Sequence, residues 1–338
     1  DVATPLAVVI AELLQNADDA GASEAIARIE DGVFVFEHDG EDFREEQFRS
    51  LCRFGYSNKR NLHTIGFRGI GFKSTFSLGD TVEVHSPTLS LCFHRRRFTE
   101  PHWLGERSSS AGKTCIRVAI EDEQRRRQLE ENFEEWRRSS LSLLFFKNLR
   151  RLQVGGVHVA WHHAGDGPVP NSEYLQLGES QDPPFLIVRS APEPFPAEAL
   201  NEIRQERMMA DDEVMNFPPA TIEIVLGPEN GGLYVVLPAG VETPLPFACN
   251  APFIQDPARL KIKDPSTSPT NRWLLNRAGR LAASAMMAWL RQEKLTDAER
   301  AAAYHLMPDV DRNSRSLEGS CAARAELAFE AAVGTGRL

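Results

Sequence analysis

The sequence has few cysteines, and they do not form a close pair. The five thiols are scattered along the chain and include no C-x-x-C motif, and the nine histidines form no H-E-x-x-H pattern. An odd, scattered set of cysteines argues against a disulfide framework and favours a reducing, cytoplasmic compartment. We therefore predict neither structural disulfides nor a zinc site.

Long apolar runs and an excess of basic residues are also missing. No stretch is apolar enough to cross a bilayer, so no membrane partner is expected. The formal net charge is -10 and the pI about 5.5, whereas a nucleic-acid-binding surface is basic. The first residues already follow a helical pattern without an initiator Met or signal peptide, and we expect the chain to be a piece of a longer protein.

Hydrophobic periodicity predicts an α/β chain whose strands do not alternate strictly with helices. This order disfavours a doubly wound parallel sheet and favours a helix–sheet sandwich with mostly antiparallel strands. Helices are predicted over 5–20, 44–52, 70–78, 122–138 and 270–292, and strands over 24–30, 33–37, 80–86, 89–94, 114–120, 150–162, 184–189, 220–226 and 233–237. The Gly/Pro-rich segment 162–172 is the candidate domain boundary.

The stretch TIGFRGIGFKST, residues 64–75, has the composition of a phosphate-binding loop. A P-loop needs its lysine directly after the second glycine, but Phe72 separates Gly71 from Lys73. A Rossmann fingerprint needs a third glycine where Ser74 stands, and a strand just upstream where the sequence is polar. Neither of these two nucleotide sites is predicted.

A partner for this loop lies in the first predicted helix. ELLQNADDA places Glu12 and Asn16 four residues apart, on one helix face. A carboxylate and a carboxamide at this spacing suit a general base and a Mg²⁺ ligand, since Mg²⁺ needs few protein oxygens beside water and phosphate. Taken alone, the pair is more simply explained as a polar stripe on a solvent-facing helix, because polar residues at this spacing are common.

Four motifs in one order make the chain recognisable: ELLQNADDA, HDGEDF, SNK with IGFRGIGFKS, and GKTCIRV. Together they resemble the GHKL ATPase superfamily of gyrase, heat-shock chaperones, histidine kinases and MutL, and most closely its sacsin-type branch. The resemblance implies a Bergerat ATP-binding fold over 1–164, a transducer-like α/β domain over 165–294 and a helical tail over 295–338. It also implies Mg²⁺-dependent binding of ATP.

The resemblance assigns roles to the first two motifs. Glu12 becomes the general base, Asn16 the Mg²⁺ ligand, and Asp19 and Ala20 neighbours of the nucleoside. The family's second motif is D-x-G, whose aspartate binds the adenine amino group, but His38-Asp39-Gly40 has histidine in that position. Either Asp39 takes the adenine contact or His38 does so through an acceptor nitrogen, and Asp39 can instead serve only the turn.

Further residues follow from the later motifs. The glycines let backbone amides approach phosphate oxygens, and residues 54–71 become a lid that closes over the nucleotide. The residues implied here are Phe43, Ser57, Lys59, Gly66, Arg68, Gly69, Ile70, Gly71, Phe72, Lys73 and Thr114. Phe43 equally suits a buried core position, the basic side chains a solvated surface, and Thr114 an ordinary strand.

The second half contributes less to the functional prediction. LPFACNAPF, residues 245–253, resembles a segment of the sacsin branch, and Arg259, Lys261 and Lys263 after it are candidate cations for the γ-phosphate, although surface lysines are the simpler explanation. The resemblance implies slow hydrolysis of ATP by a chaperone-like or phage-defence switch that contacts other domains or copies of itself. The alternatives are a scaffold that binds nucleotide without hydrolysing it and a pseudo-ATPase that has lost binding.

Overall fold

The chain folds into two compact units, one ending at Trp161 and one beginning at His162. The computed structural model describes residues 6–52, 72–105, 112–138, 140–178, 183–207, 217–227, 231–256 and 261–335. In both units helices accompany a mostly antiparallel sheet. The predicted α/β class with mostly antiparallel strands is therefore confirmed.

The first unit contains three α-helices, two 3₁₀ helices and eight strands within its described residues. The helices are α1 (Leu6–Asp19), α2 (Glu45–Leu51) and α3 (Glu123–Arg138), and the 3₁₀ helices are Phe72–Ser77 and Ser140–Phe145. The strands are β1 (Glu24–Glu30), β2 (Val33–His38), β3 (Thr81–His85), β4 (Ser90–His94), β5 (Arg97–Trp103), β6 (Thr114–Ala119), β7 (Arg151–Val154) and β8 (Val157–Asp166), which runs past Trp161.

The sheet of this unit has the order β8-β7-β1-β2-β6-β3-β4-β5. Each neighbouring pair is antiparallel except β1 and β7, which are parallel. The β1–β2 hairpin turns at Asp31 and Gly32, with φ values of 49° and 78°. Positive φ at both turn residues is the condition for the tight hairpin that the Asp-Gly pair predicts.

Helix α1 is held to the unit by its apolar face. Its buried side chains recur at helical spacing and are Val9, Ile10, Leu13, Leu14 and Ala17. They pack against β1, α3 and the 3₁₀ helix Phe72–Ser77. Burial of these apolar side chains fixes the rotation of α1 about its axis. The same rotation sets the direction of the polar side chains between them.

The second unit has its own sheet and a helical layer. Its strands are β9 (Ser172–Leu177), β10 (Phe185–Arg189), β11 (Glu223–Leu226), β12 (Gly231–Val235), β13 (Leu237–Thr243) and β14 (Ala248–Asn250), in the order β9-β10-β11-β14-β12-β13. Its helices are α4 (Ala197–Glu206), α5 (Pro269–Leu290), α6 (Asp297–Ala301), a 3₁₀ helix Ala302–Leu306, and α7 (Leu317–Thr335). Helix α5 packs against α4, α6 and α7, so the residues after 295 are part of this unit.

Several local predictions are wrong in detail. The helix expected over 70–78 is a six-residue 3₁₀ helix, Phe72–Ser77, and β5, β9, β13, β14 and α4 were not predicted. Part of the expected loop 162–172 is strand, because β8 continues to Asp166. Among the described residues no helix is long and apolar enough to span a membrane.

Candidate functional site

Helix α1 carries the first motif. Glu12 is buried with 7% of its surface exposed, and Asn16 and Asp19 are half-buried. Glu12 and Asn16 are one turn apart and therefore lie on the same face. A buried glutamate excludes the fully solvent-facing stripe that was the alternative for this pair.

The end of α1 is fixed by Asp18, which the sequence did not single out. The Asp18 carboxylate accepts hydrogen bonds from three consecutive backbone N–H groups, at 3.1 Å from Lys147, 2.6 Å from Asn148 and 2.9 Å from Leu149. The side-chain amide of Asn148 donates to the Asp18 carbonyl at 2.8 Å. This clamp ties the last turn of α1 to the segment before β7. The one sign of this clamp in the sequence is the pair of acidic residues in NADDA, and the residue types do not show which of the two side chains is buried.

The second motif forms a turn pressed against the end of α1. The Glu41 N–H donates to the Ala20 carbonyl at 2.7 Å. A Cβ on Gly40 would lie 2.8 Å from that same carbonyl oxygen and 2.9 Å from the Ala20 Cβ. Glycine is therefore required here by the close approach of two backbone segments. The structure brings Ala20 and Gly40 together.

Asp39 makes the turn. Its Oδ1 accepts from the backbone N–H groups of Ser23 at 2.7 Å and Glu24 at 2.9 Å, and its Oδ2 accepts from the Ser23 hydroxyl at 2.6 Å. Burial acts to raise the pKa of Asp39, but these hydrogen bonds outweigh it and the pKa is below its ordinary value. Both carboxylate oxygens thus hold the start of β1, which is the structural role left open for this residue.

His38 is buried at the end of β2, with 8% of its surface exposed. Its Nδ1 accepts a hydrogen bond from the Gly40 N–H at 3.1 Å. Burial lowers the pKa of His38 to about 4, against a smaller opposing effect from the charge of Asp39. The imidazole is therefore neutral at pH 7, and because Nδ1 is an acceptor its proton is on Nε2.

Thr114 lies next to His38. The two residues are direct partners in the antiparallel β2–β6 pair, and Ala25 on β1 is the partner of His38 on the other side. Paired residues in a sheet project from the same face, so Ala25, His38 and Thr114 form one row. Thr114 is buried. The fourth motif is thus adjacent to the second.

Phe43 is half-buried, so the structure does not support its alternative role as a core residue. Its N–H donates to Asp42 Oδ1 at 2.7 Å, and the hydroxyl of Thr88 donates to Asp42 Oδ2 at 2.7 Å. Asp42 therefore fixes the position of Phe43 relative to the β3–β4 turn.

Most of the third motif lies outside the described residues. This applies to Ser57, Lys59, Gly66, Arg68, Gly69, Ile70 and Gly71, and to Arg259 in the second unit. The backbones of Phe72 and Lys73 begin the 3₁₀ helix that packs on α1, and their side chains are not described. Ser74 and Thr75 are buried, so the end of this motif is an anchor on α1.

In the second unit the two described candidate cations have partners. Lys261 pairs with Glu318 at 3.2 Å, and Lys263 pairs with Glu206. Asn271 on α5 holds this segment, since its carboxamide accepts from the Ile254 N–H and donates to the carbonyls of Ile254 and Lys263, each at 2.8 Å. These contacts favour the simpler interpretation of both lysines. The described residues include no cluster of three or more His, Cys, Asp or Glu able to hold a metal ion.

Comparison with known proteins gives one partial similarity. No family model matches the chain. An 84-residue stretch is 38% identical to Protein NO VEIN of Arabidopsis thaliana. The stretch represents 23% of this chain and 3% of the plant protein.

Proposed function

We propose that the chain is a Mg²⁺-dependent ATPase module of the GHKL type, with a Bergerat fold in its first unit. The observation that supports this is the meeting of motifs distant in sequence. The end of α1 at Ala20 contacts the turn at Gly40, and that turn follows His38, the direct strand partner of Thr114. The 3₁₀ helix that ends the third motif packs on the same α1.

In this proposal Glu12 is the general base. Its carboxylate takes a proton from a water molecule whose oxygen attacks the γ-phosphorus, the bond to the β–γ bridging oxygen breaks, and ADP leaves. Glu12 is buried, which keeps bulk water away from the carboxylate. We expect this hydrolysis of ATP to be slow, which suits a domain that acts as a conformational switch.

Asn16 is the residue that would hold Mg²⁺. A single neutral carboxamide oxygen suits an ion that keeps several water ligands and binds substrate phosphates. Asn16 is half-buried and lies one turn after Glu12 on α1. Bound Mg²⁺ supplies charge neutralisation on the phosphate oxygens.

The first experiment measures binding and turnover separately. Calorimetry with ATP and Mg²⁺ gives binding, and phosphate release gives turnover for wild type, Glu12→Gln and the control Glu131→Gln, which alters an exposed glutamate on α3. We expect Glu12→Gln to retain binding and lose roughly a hundredfold or more in turnover, the usual contribution of a general base. We expect the control to match wild type.

Two other results would contradict this proposal. No binding at millimolar nucleotide would refute the nucleotide site. Binding without phosphate release by the wild type would favour the scaffold that binds and does not hydrolyse.

A further inference from the structure

The turn at His38 carries a hydrogen-bond donor on the imidazole ring. His38 Nδ1 is occupied by the Gly40 N–H at 3.1 Å, which leaves Nε2 to carry the ring proton. Within the described part of the chain, this is the one side-chain hydrogen bond of His38. Nε2–H is therefore the polar group that the residue has left for a ligand.

The neighbouring carboxylate does not supply the missing acceptor. Asp39 receives three hydrogen bonds from Ser23 and Glu24, between 2.6 and 2.9 Å, through both of its oxygens. A shift toward a nucleotide would leave the two backbone N–H groups at the start of β1 without their acceptor, which costs free energy. Neither of the contacts considered for the adenine amino group is therefore provided by this turn.

A donor at this point discriminates between purines by chemistry. The adenine 6-amino group is itself a donor and does not hydrogen-bond to an N–H. Guanine and hypoxanthine carry an oxygen acceptor at the same position. The buried hydroxyl of Thr114, in the same row of the sheet, both donates and accepts, so it tolerates either base.

The geometry points to His38 as a specificity-determining residue whose Nε2–H donates to the 6-oxygen of a purine. The inferred ligand class is the 6-oxopurine nucleoside triphosphates, which bind this site at least as tightly as ATP. This inference rests on the proposed function, because it places the base beside the turn at His38.

Calorimetry of the whole chain with Mg²⁺ and either ATP or inosine triphosphate tests the inference. Inosine triphosphate replaces the 6-amino group by oxygen without adding the 2-amino group of guanine. We expect the wild type to bind inosine triphosphate as tightly as ATP or up to roughly tenfold more tightly, the range of one hydrogen bond. ATP binding that is tighter than inosine triphosphate binding, beyond the error of the two titrations, would overturn the inference and leave the proposed function intact. If neither nucleotide bound, both would fall.

A variant and a ligand-free measurement complete the test. His38→Asp restores an acceptor and should shift the ratio of the two dissociation constants toward ATP by roughly tenfold. The same change at His158, an exposed residue on β8, should leave the ratio unchanged. If His38→Asp fails to fold, ¹⁵N NMR of the wild-type imidazole decides, since protonation at Nε2 supports the inference and protonation at Nδ1 refutes it.

Discussion

Replacing Asp18 tests how the end of α1 is fixed. Its carboxylate accepts from the backbone N–H groups of Lys147, Asn148 and Leu149, the first through Oδ2 and the other two through Oδ1. The side chain is 5% exposed. Water therefore has little access to the carboxylate, and the three N–H groups lose a buried acceptor when it is removed.

Two substitutions should differ in magnitude. Asp18→Ala removes the acceptor of all three hydrogen bonds. A hydrogen bond to a charged group contributes about 1.5–3 kcal/mol, and neighbouring bonds to one carboxylate are not additive. We therefore expect Asp18→Ala to lower the free energy of unfolding by about 3–5 kcal/mol. Asp18→Asn keeps Oδ1 and its two bonds, and places an NH₂ group opposite the Lys147 N–H. We expect a loss of about 1–2 kcal/mol for that variant.

Urea unfolding followed by circular dichroism measures both losses. Glu131→Gln, an exposed change on α3, should stay within about 0.5 kcal/mol of wild type. A loss below about 1 kcal/mol for Asp18→Ala would refute the clamp. An asparagine variant as unstable as the alanine variant would refute the assignment of two bonds to Oδ1.

Two further predictions concern the turn against α1. Gly40→Ala places a Cβ 2.8 Å from the Ala20 carbonyl oxygen and should lower the free energy of unfolding, measured in urea, by about 1–3 kcal/mol. Gly156→Ala is the control, because no atom lies within 4 Å of its added Cβ, and it should leave stability unchanged. Equal effects of the two substitutions would contradict the close approach at Gly40. His38 has its pKa lowered from 6.5 to about 4, so the unfolded chain binds the extra proton between these values and stability should rise with pH across that window. His38→Asn, which keeps an acceptor for the Gly40 N–H, should remove most of this slope in urea unfolding at pH 4.5, 5.5 and 6.8, and an unchanged slope would show that His38 is not its source.

Apolar periodicity and turn residues predicted much of the first unit, because both depend on interactions between residues close in sequence. The apolar spacing in ELLQN and its flanks gives α1, and Asp31-Gly32 gives the hairpin between β1 and β2. The short polar helix after Gly71 was predicted as an α-helix, yet it forms a 3₁₀ helix with Ser74 and Thr75 buried against α1. Its conformation depends on that packing, which periodicity does not report.

The candidate site also has features that the sequence predicted and features that depend on tertiary contacts. Ordered motifs in the sequence indicated Glu12, Asn16, the turn at Gly40 and Thr114 as one group, and the structure places the turn against Ala20 and in register with Thr114. Asp18 was missed, because its three bonds reach residues about 130 positions away. Arg259 and the part of the third motif up to Gly71 lie outside the described residues, so the roles of these residues stay predictions.

The sequence by itself determined the α/β class, most helices and strands of the first unit and the apolar face of α1, since these follow from the period of apolar side chains. Only the tertiary structure decided what the His38-Asp39-Gly40 motif does. The sequence allowed either side chain to receive a nucleobase. The Asp39 carboxylate accepts hydrogen bonds from Ser23 and Glu24 at the start of β1, and Nδ1 of His38 accepts one from the Gly40 N–H. The direction of a hydrogen bond depends on which groups the fold brings together, and the residue types alone do not contain that information.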